Sequence, residues 1–506
     1  MRLGLWVAAI FAALPFLGEG AAAQDVTLTA RDGSLSISGT LQGFDGEFYR
    51  VSSRYGPLTV DGEGVICEGP GCPDLTATLA VLRITGAAEP GTALLPRLIA
   101  AYATTRGLML TTAADGAGFR SELIDPGSGQ LLAQISFAPS TPEDGRAALL
   151  AGSADLVVSL TADKGFGVQA MALDALVPIM AGDNALSEIS TPDLAAALTG
   201  EIGNWKQLGG PDMPLVLHAL RADTSLQEAL AGRLGQDVAA QEDHATAADL
   251  AAAVARDPWA LAITGMAKAD PARVLRLTDS CGFPLLADRA SVKAGDYPLT
   301  LPVNLLTPRR RLPLFGREFL EFLDHPAAQA AVAAAGYVDR NPEIVPLTAD
   351  GLRLLNAIKG AGPDVPLAAL QRLAEVMAGA SRLSLTFRFE DGTTTLDSRS
   401  RENLSLLAGL LGIGAFRSQD IILAAFSDGA GDAAANLALS ESRGFGVATA
   451  LRDLLPEDLP EGQAFPRVEA FGEALPMACD TTAAGRRANR RVEVWLRPAP
   501  IDSDVP

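Results

Sequence analysis

The chain has 506 residues and carries 40 Lys and Arg against 60 Asp and Glu, which gives a formal net charge of −20. This length exceeds what one hydrophobic core organises, so we expect three or more domains. The acidic balance argues against nucleic acid as a partner. The three histidines are far apart and lack metal-ligand spacing, so we expect no metal and no other cofactor.

The N-terminus has the pattern of a secretory signal. Met1-Arg2 is followed by the apolar run Leu3–Leu17 and by Ala21-Ala22-Ala23, which predicts a signal peptide over residues 1–23, cut before Gln24. No cysteine stands at this cleavage point, which argues against a lipid anchor. No later apolar run reaches the length of a membrane helix. We therefore expect an exported, periplasmic protein.

Residues 24–77 predict a small antiparallel β module. Short alternating runs are separated by Asp-Gly and Gly-Pro turns. Cys67 and Cys72 are close enough in sequence for a short disulfide, as expected of an exported chain. Cys281 and Cys479 lie in different predicted domains and leave two alternatives: an interdomain bridge or two buried free thiols.

Residues 78–340 alternate strands and helices, as in an α/β domain. The strand Val216–Leu220 leads to Arg221, Thr224 and Ser225, which open a helix. The free N–H groups and positive dipole of a helix N-terminus suit an oxyanion. The alternative is that these hydroxyls are ordinary helix caps.

This region resembles the periplasmic phosphate-binding proteins of ABC transporters, which have a two-lobed fold. The resemblance is carried by Gly200, Asn204-Trp205, Gly209-Gly210, the Arg221–Ser225 segment, Tyr297–Thr300 and Phe319–Gly336. It implies a site for phosphate or a similar small oxyanion, with a transporter as a potential partner. The residues expected in that site are Thr92, Ser159, Arg221, Thr224 and Ser225.

The first turn of this region departs from the family pattern. It reads Gly86-Ala87-Ala88-Glu89 and has no hydroxyl before Thr92, and Glu89 and Asp223 bring carboxylates toward a site that should hold an anion. The ligand is therefore left open between an oxyanion, another small solute and no ligand at all. Residues 341–379, which follow, predict a partly helical linker.

The last region, residues 380–500, contains an acidic and a basic side chain whose spacing could bring them close together. A strand, Ile421–Phe426, leads to Asp428, and a following helix carries Asn436, Ser440 and Arg443 on one face. A carboxylate accepts hydrogen bonds from an ammonium group, and a guanidinium can grip a carboxylate twice. The pair suits a ligand with both groups on one carbon, although a surface ion pair is the plainer alternative.

The complete motif resembles the C-terminal domain of the OmpA family. Besides the residues above, it includes Leu439, Gly485-Arg486 and the run Asn489–Glu493. The resemblance implies an α+β sandwich that binds the diaminopimelate of peptidoglycan through Asp428 and Arg443, with Asn436 and Ser440 also in the site. Phe426, Gly444 and Asp480 depart from the usual residues, and Asp480 adds negative charge near the site.

Together these features predict a multidomain α/β protein of the cell envelope, bound to peptidoglycan and associated with the outer membrane. We find no Gly-x-Ser-x-Gly elbow and no phosphate-binding P-loop, so we expect no enzymatic activity. The expected function is binding of peptidoglycan together with a small solute. The alternative is a ligand-free scaffold, anchored to the wall, for envelope protein partners.

Overall fold

The computed structural model describes residues 26–31, 33–44, 48–62, 64–72, 79–361, 365–390 and 393–498. The predicted signal peptide lies outside these residues. The chain divides into two compact units, one containing the N-terminal segment up to Ala80 with Leu312–Glu318, and the other containing Val81–Arg311 with the remainder from Phe319. Among the described residues, no helix has the length and apolar composition needed to cross a membrane.

The N-terminal module is a five-stranded antiparallel sheet in the order β4-β3-β2-β1-β5. Its core contains Val26, Leu28, Tyr49 and Val51, and a disulfide joins Cys67 to Cys72. This confirms the predicted β module and its short disulfide. The strands are Val26–Ala30 (β1), Ser36–Phe44 (β2), Phe48–Ser53 (β3), Gly56–Asp61 (β4) and Val65–Glu68 (β5).

The middle domain is built on a mixed sheet with helices packed against it. Its strands are Ala80–Gly86 (β6), Met109–Asp115 (β7), Gly118–Ile124 (β8), Leu131–Pro139 (β9), Leu156–Ser159 (β10), Gly167–Met180 (β11), Glu188–Ser190 (β12), Val216–Leu220 (β13), Glu242–His244 (β14), Ala260–Gly265 (β15), Arg273–Val274 (β16), Arg276–Thr278 (β17), Pro284–Leu285 (β18) and Thr300–Thr307 (β19). Its helices are Ala88–Arg106 (α1), Pro142–Ala151 (α2), Thr191–Leu198 (α3), Ser225–Leu234 (α4), Ala247–Arg256 (α5), Arg289–Ala294 (α6), Leu314–Phe322 (α7) and Pro326–Ala334 (α8).

Two lobes follow from the strand order β14-β13-β15-β11-β19-β10-β6-β9-β8-β7. The long strand β11 pairs with β19 from Gly167 to Ala175 and then with β15 from Leu176 to Met180, so it passes from one half of the sheet into the other. We call β6–β10 with α1 and α2 the first lobe, and β13–β15 with α4 and α5 the second lobe. The wholly buried Leu-Val-Val-Ser run of β10 is typical of a central strand covered on both faces.

The C-terminal domain has a five-stranded sheet in the order β20-β21-β24-β22-β23. Its strands are Ile344–Pro346 (β20), Ser381–Arg388 (β21), Gln419–Phe426 (β22), Arg467–Ala470 (β23) and Arg491–Pro498 (β24). Its helices are Gly351–Gly360 (α9), Leu367–Met377 (α10), Ser398–Gly412 (α11), Ala433–Leu454 (α12) and Ala483–Asn489 (α13). The fold thus confirms the expected class of a small β module, a two-lobed α/β domain and an α+β sandwich.

Each face of the C-terminal sheet has its own apolar layer. On one face, Leu411 of α11 and Val447 of α12 pack with Leu423 of β22. On the other face, Ala357 of α9 and Leu373 of α10 belong to a cluster of 11 buried residues that includes Phe426 and Trp495. The segment predicted as a linker therefore contributes an edge strand and two helices to this domain.

The middle and C-terminal domains are joined by a disulfide and by buried ion pairs. Cys281 is bonded to Cys479, with 5.5 Å between their Cα atoms, so of the two alternatives the structure contains the interdomain bridge. Asp296 of the middle domain accepts hydrogen bonds from Arg382 at 2.5 Å and from Arg388 at 2.8 Å. Burial would raise the pKa of Asp296, but these guanidinium groups outweigh it and hold the pKa below the ordinary range.

Candidate functional site

The end of β22 and the start of α12 bring Asp428 and Arg443 to one place. The apolar run of β22 is buried up to Phe426, and Asp428 follows two residues later. Asp432 then caps α12 by accepting the backbone N–H of Ala435. Arg443 lies on the buried face of this helix. The strand exit and the buried helix face therefore meet at one position, as the spacing predicts.

A cavity of about 510 Å³ opens at this position. Asp428 and Arg443 both line it, so the structure brings the predicted pair together. Its other lining residues are Thr393, Thr394, Thr395, Leu439 and Arg490. The lining therefore combines an apolar wall with hydroxyls and three charged side chains, which suits a small polar ligand.

Arg443 is the least satisfied charged group of this cavity. Its residue is only 4% exposed, yet neither Nε nor Nη1 has a hydrogen-bond partner in the described part of the chain. The guanidinium lies 5.4 Å from the ring centroid of Phe389. Burial and the nearby charge of Arg490 lower the pKa of Arg443, and Asp428 partly opposes them. Because an unpaired buried donor is costly, the site is organised for an acceptor that a ligand would supply.

Asp428 is hydrogen-bonded within the protein. Its Oδ1 accepts the backbone N–H of Ala430 at 3.1 Å, and its Oδ2 accepts Nη1 of Arg490, also at 3.1 Å. Sequence reasoning did not single out Arg490 as a site residue. The signal lay in strand register, because Phe426 pairs with Arg491 and this brings the preceding residue beside the exit of β22.

Asn436 and Ser440 contact the loop after β23 and do not belong to the set of residues lining the cavity. Asn436 donates to Glu473 at 3.3 Å. Ser440 donates to the carbonyl of Leu437 at 2.7 Å and accepts the N–H of Gly472 at 3.1 Å. In this structure, both side chains fix the loop that follows β23.

Asp480, the acidic departure from the family pattern, is also held by donors. Its carboxylate accepts the N–H of Gly429 at 3.0 Å and the side-chain amide of Asn489 at 2.7 Å. It thereby ties the loop after β22 to the end of α13. These two donors stabilise its negative charge. Asp480 does not belong to the residues that line the cavity.

A second cavity, of about 290 Å³, lies in the middle domain where four helices begin. The N-terminal residues of α1, α2, α4 and α5 line it, so both lobes contribute. Thr141, Thr224 and Thr246 cap α2, α4 and α5, whereas α1 has no side-chain cap. Four helix N-termini together create a positive potential for a small anion.

Three of the five residues predicted for a solute site line this cleft, namely Arg221, Thr224 and Ser225. Ser225 is 7% exposed, and its hydroxyl makes no hydrogen bond within the described chain. Ser140, which was not predicted, also lines the cleft, and its hydroxyl is buried without a partner. Its only sequence signal is its position directly before the capping Thr141.

Thr92 and Ser159, the other two predicted residues, do not belong to the lining of the cleft. The hydroxyl of Thr92 donates to the carbonyl of Ala88 at 2.8 Å, one turn earlier in α1. The hydroxyl of Ser159 donates to the carbonyl of Thr161 at 2.9 Å and accepts the N–H of the same residue. Both hydroxyls are therefore used in local contacts.

Glu89 places a carboxylate inside the cleft, at the N-terminus of α5. Its Oε1 accepts the backbone N–H of Ala247, the first residue of α5, at 2.9 Å, so a first-lobe carboxylate binds a second-lobe helix. Burial raises the pKa of the nearby Asp174 to about 7, and the charge of Glu89 contributes to that rise. Arg221 has a carboxylate neighbour of its own, Asp223, 3.6 Å away. The cleft thus carries internal negative charge beside its positive helix ends.

No group of three or more His, Cys, Asp or Glu side chains in the described residues is arranged to hold a metal ion. The fold and the two cavities define a multidomain α/β protein whose sites suit ligand binding. In sequence, residues 100–324 match the family model of the PBP superfamily domain, and residues 388–490 match that of the OmpA family. The chain therefore contains a PBP superfamily domain followed by an OmpA family domain. No curated protein matches the chain in sequence.

The middle domain is similar to solved phosphate-binding proteins. An ABC-type phosphate transport receptor from Vibrio cholerae is 17% identical, with a TM-score of 0.41, and the match covers 51% of this chain and 99% of that one. A putative phosphate ABC transporter substrate-binding protein from Clostridium perfringens, with bound phosphate, is 15% identical, with the same TM-score and coverage. PstS from Borrelia burgdorferi is 14% identical, with a TM-score of 0.37, and the match covers 51% of this chain and 98% of the PstS chain.

Proposed function

We propose that this protein binds peptidoglycan through its OmpA family domain and holds the middle domain at the cell wall. The observation that carries the proposal is the guanidinium of Arg443, a buried group that lines the cavity and has two donors without partners in the described residues. A carboxylate of a peptidoglycan stem peptide would form a charge-assisted pair with this guanidinium. Diaminopimelate is the residue that the family resemblance implies.

The proposal places the mature protein in the periplasm, in contact with the wall and the outer membrane, without an enzymatic role. The interdomain disulfide and the Asp296 ion pairs support it, because they make the middle domain follow wherever the OmpA family domain is bound. The signal-like N-terminal sequence agrees with export, since disulfides persist in oxidising compartments.

Co-sedimentation with purified sacculi tests this function. The full chain should sediment with sacculi, whereas Arg443→Met should stay in the supernatant. Arg452→Met is the matched control, because it removes an arginine from the exposed side of the same helix. Sedimentation of both variants alike would show that the cavity does not bind the wall.

We propose a small oxyanion or a related solute as a second ligand, bound in the cleft of the middle domain. The specific observation is Ser140, whose hydroxyl is buried without a partner in the described residues and lines the cleft together with Arg221 and Ser225. Phosphate, sulfate and molybdate at millimolar concentration should then raise the thermal midpoint of the full chain. No shift with any of them would exclude this ligand class, and with it a role as receptor for an ABC transporter.

The alternative for the middle domain is a ligand-free scaffold for envelope proteins. Two contacts between the lobes favour it: Glu89 binds the N–H of Ala247, and Arg146 pairs with Glu228 at 2.7 Å. These contacts hold the cleft together without a solute. Small-angle scattering separates the alternatives, because a scaffold should show no change of its scattering curve with any of the three oxyanions.

A further inference from the structure

The charges that line the cavity of the OmpA family domain do not balance. Asp428 is the one carboxylate among the described lining residues, and Arg443 and Arg490 are two guanidinium groups. Asp428 is hydrogen-bonded to Arg490 and to the N–H of Ala430. Arg443 retains two buried donors without partners. The lining of this cavity therefore favours a negatively charged ligand group.

A ligand with an ammonium and a carboxylate meets these two arginines differently. Its carboxylate can pair directly with the guanidinium of Arg443, which lines the cavity. Its ammonium meets Asp428 beside Arg490, whose Nη1 lies 3.1 Å from Oδ2, so the charge of this carboxylate is already compensated. A second cation there gains little net electrostatic energy, because Arg490 repels it while Asp428 attracts it.

We propose that this cavity is a receptor for the carboxylate of its ligand, and that Arg490 makes the ammonium group dispensable. The inference rests on the proposed peptidoglycan function and specifies its ligand class: stem peptides with a free diaminopimelate side-chain carboxylate, whether the neighbouring amine is free or consumed in a cross-link. Arg490 is then a residue that determines specificity, since it compensates the charge of Asp428 that an ammonium would otherwise neutralise.

Removing Arg490 should make binding depend on the ammonium group as well. In Arg490→Gln, Asp428 loses its charged partner, and an ammonium group becomes the means to neutralise it. In Arg490→Lys, the positive charge beside Asp428 is kept, so the tolerance of a modified amine should persist. The comparison of these two variants separates an electrostatic role of Arg490 from a loss of local structure.

The test measures binding of the full chain to three forms of one stem tetrapeptide by calorimetry. The forms carry a free diaminopimelate centre, the same centre acetylated on its amine, and the same centre with its side-chain carboxylate converted to a carboxamide. For the unmodified protein, acetylation should weaken binding by less than about 5-fold, whereas amidation should weaken it about 100-fold, through loss of a bidentate charged pair. In Arg490→Gln, acetylation should weaken binding by about 30-fold or more, and Arg490→Lys should behave as the unmodified protein does.

Two results would overturn the inference while leaving the peptidoglycan function intact. One is that the unmodified protein binds the free form of the tetrapeptide but does not bind the acetylated form. The other is equal sensitivity to acetylation in Arg490→Gln and the unmodified protein. If the free tetrapeptide itself does not bind, the proposed function fails, and the inference about its ligand class fails with it.

Discussion

Replacing Arg443 by methionine should stabilise the C-terminal domain while abolishing its binding. The guanidinium is buried, and two of its donors lack partners; each unsatisfied donor costs about 1–3 kcal/mol. The change forfeits the contact with Phe389, 5.4 Å away, which contributes about 0.5–2 kcal/mol. Methionine is unbranched and adapts to irregular space. Two such donors cost about 2–6 kcal/mol, so the balance favours the variant by about 0–5 kcal/mol.

Hydrogen–deuterium exchange of the β22 and β24 amides in the full chain measures this effect. It reports the opening free energy of the C-terminal domain alone, which a global unfolding curve of a multidomain chain would not give. Arg452→Met is the control, because Arg452 is exposed and stacks on Phe465 at 3.9 Å, so its loss should change the opening free energy by less than about 1 kcal/mol. The reasoning is refuted if Arg443→Met lowers the opening free energy by about 3–5 kcal/mol, the cost of breaking a satisfied buried ion pair.

Three further changes test the middle domain and its attachment. Glu89→Gln keeps an acceptor for the N–H of Ala247 but removes a negative charge from the cleft, so the affinity for phosphate, measured by calorimetry, should rise at least about 10-fold. Glu143→Gln is the control, because Glu143 is exposed, and it should leave the phosphate affinity unchanged. Burial raises the pKa of Asp174 from 3.8 to about 7, so the folded state holds a proton that the unfolded state has lost, and stability falls as pH rises across that interval and then levels off. Asp174→Asn should remove this fall, so its urea midpoint should exceed that of the unmodified chain by more at pH 8 than at pH 5; an equal difference at both would contradict it. Replacing both Cys281 and Cys479 by serine should cost about 5 kcal/mol in the chain-entropy estimate for a separation of 198 residues, against about 2 kcal/mol for the other disulfide with its separation of 5. Hydrogen–deuterium exchange measures both losses, each in the domains that its disulfide joins, and equal losses of opening free energy would contradict that order.

The sequence predicted the pair at the C-terminal site because its geometry is local. One apolar strand and one helix fix where Asp428 and Arg443 lie, and both elements are visible as patterns. Arg490 depends on the pairing of β22 with β24, about sixty residues apart in sequence. Register between distant strands is set by packing, which no local pattern encodes.

The cleft residues show a different limit of sequence reasoning. Thr92 and Ser159 are hydroxyls at plausible positions, but each bonds to backbone groups close by in sequence, a competition that spacing alone does not resolve. Glu89 was expected to repel an anion, and in the structure it binds a backbone N–H that an anion would otherwise use. Its partner lies in the other lobe, so only the tertiary fold brings the two together.

Residues 341–379 looked like a linker because proline and glycine interrupt their helical stretches. In the structure, Ala357, Leu373 and Met377 are buried against Phe426 and Trp495. Those partners lie on strands far along the chain. No local sequence pattern therefore shows which surface the apolar residues of α9 and α10 pack against. The helices belong to the domain because they cover a sheet face that would otherwise be exposed to water.

The cavity lined by Asp428 and Arg443 is proposed to bind a stem-peptide carboxylate. Calorimetric titration of the full chain with a soluble stem tetrapeptide measures this binding. We predict saturable binding with one site per chain, lost in Arg443→Met and unchanged in Arg452→Met. Absence of binding to the unmodified chain, or equal binding by the Arg443→Met variant, would contradict the claim.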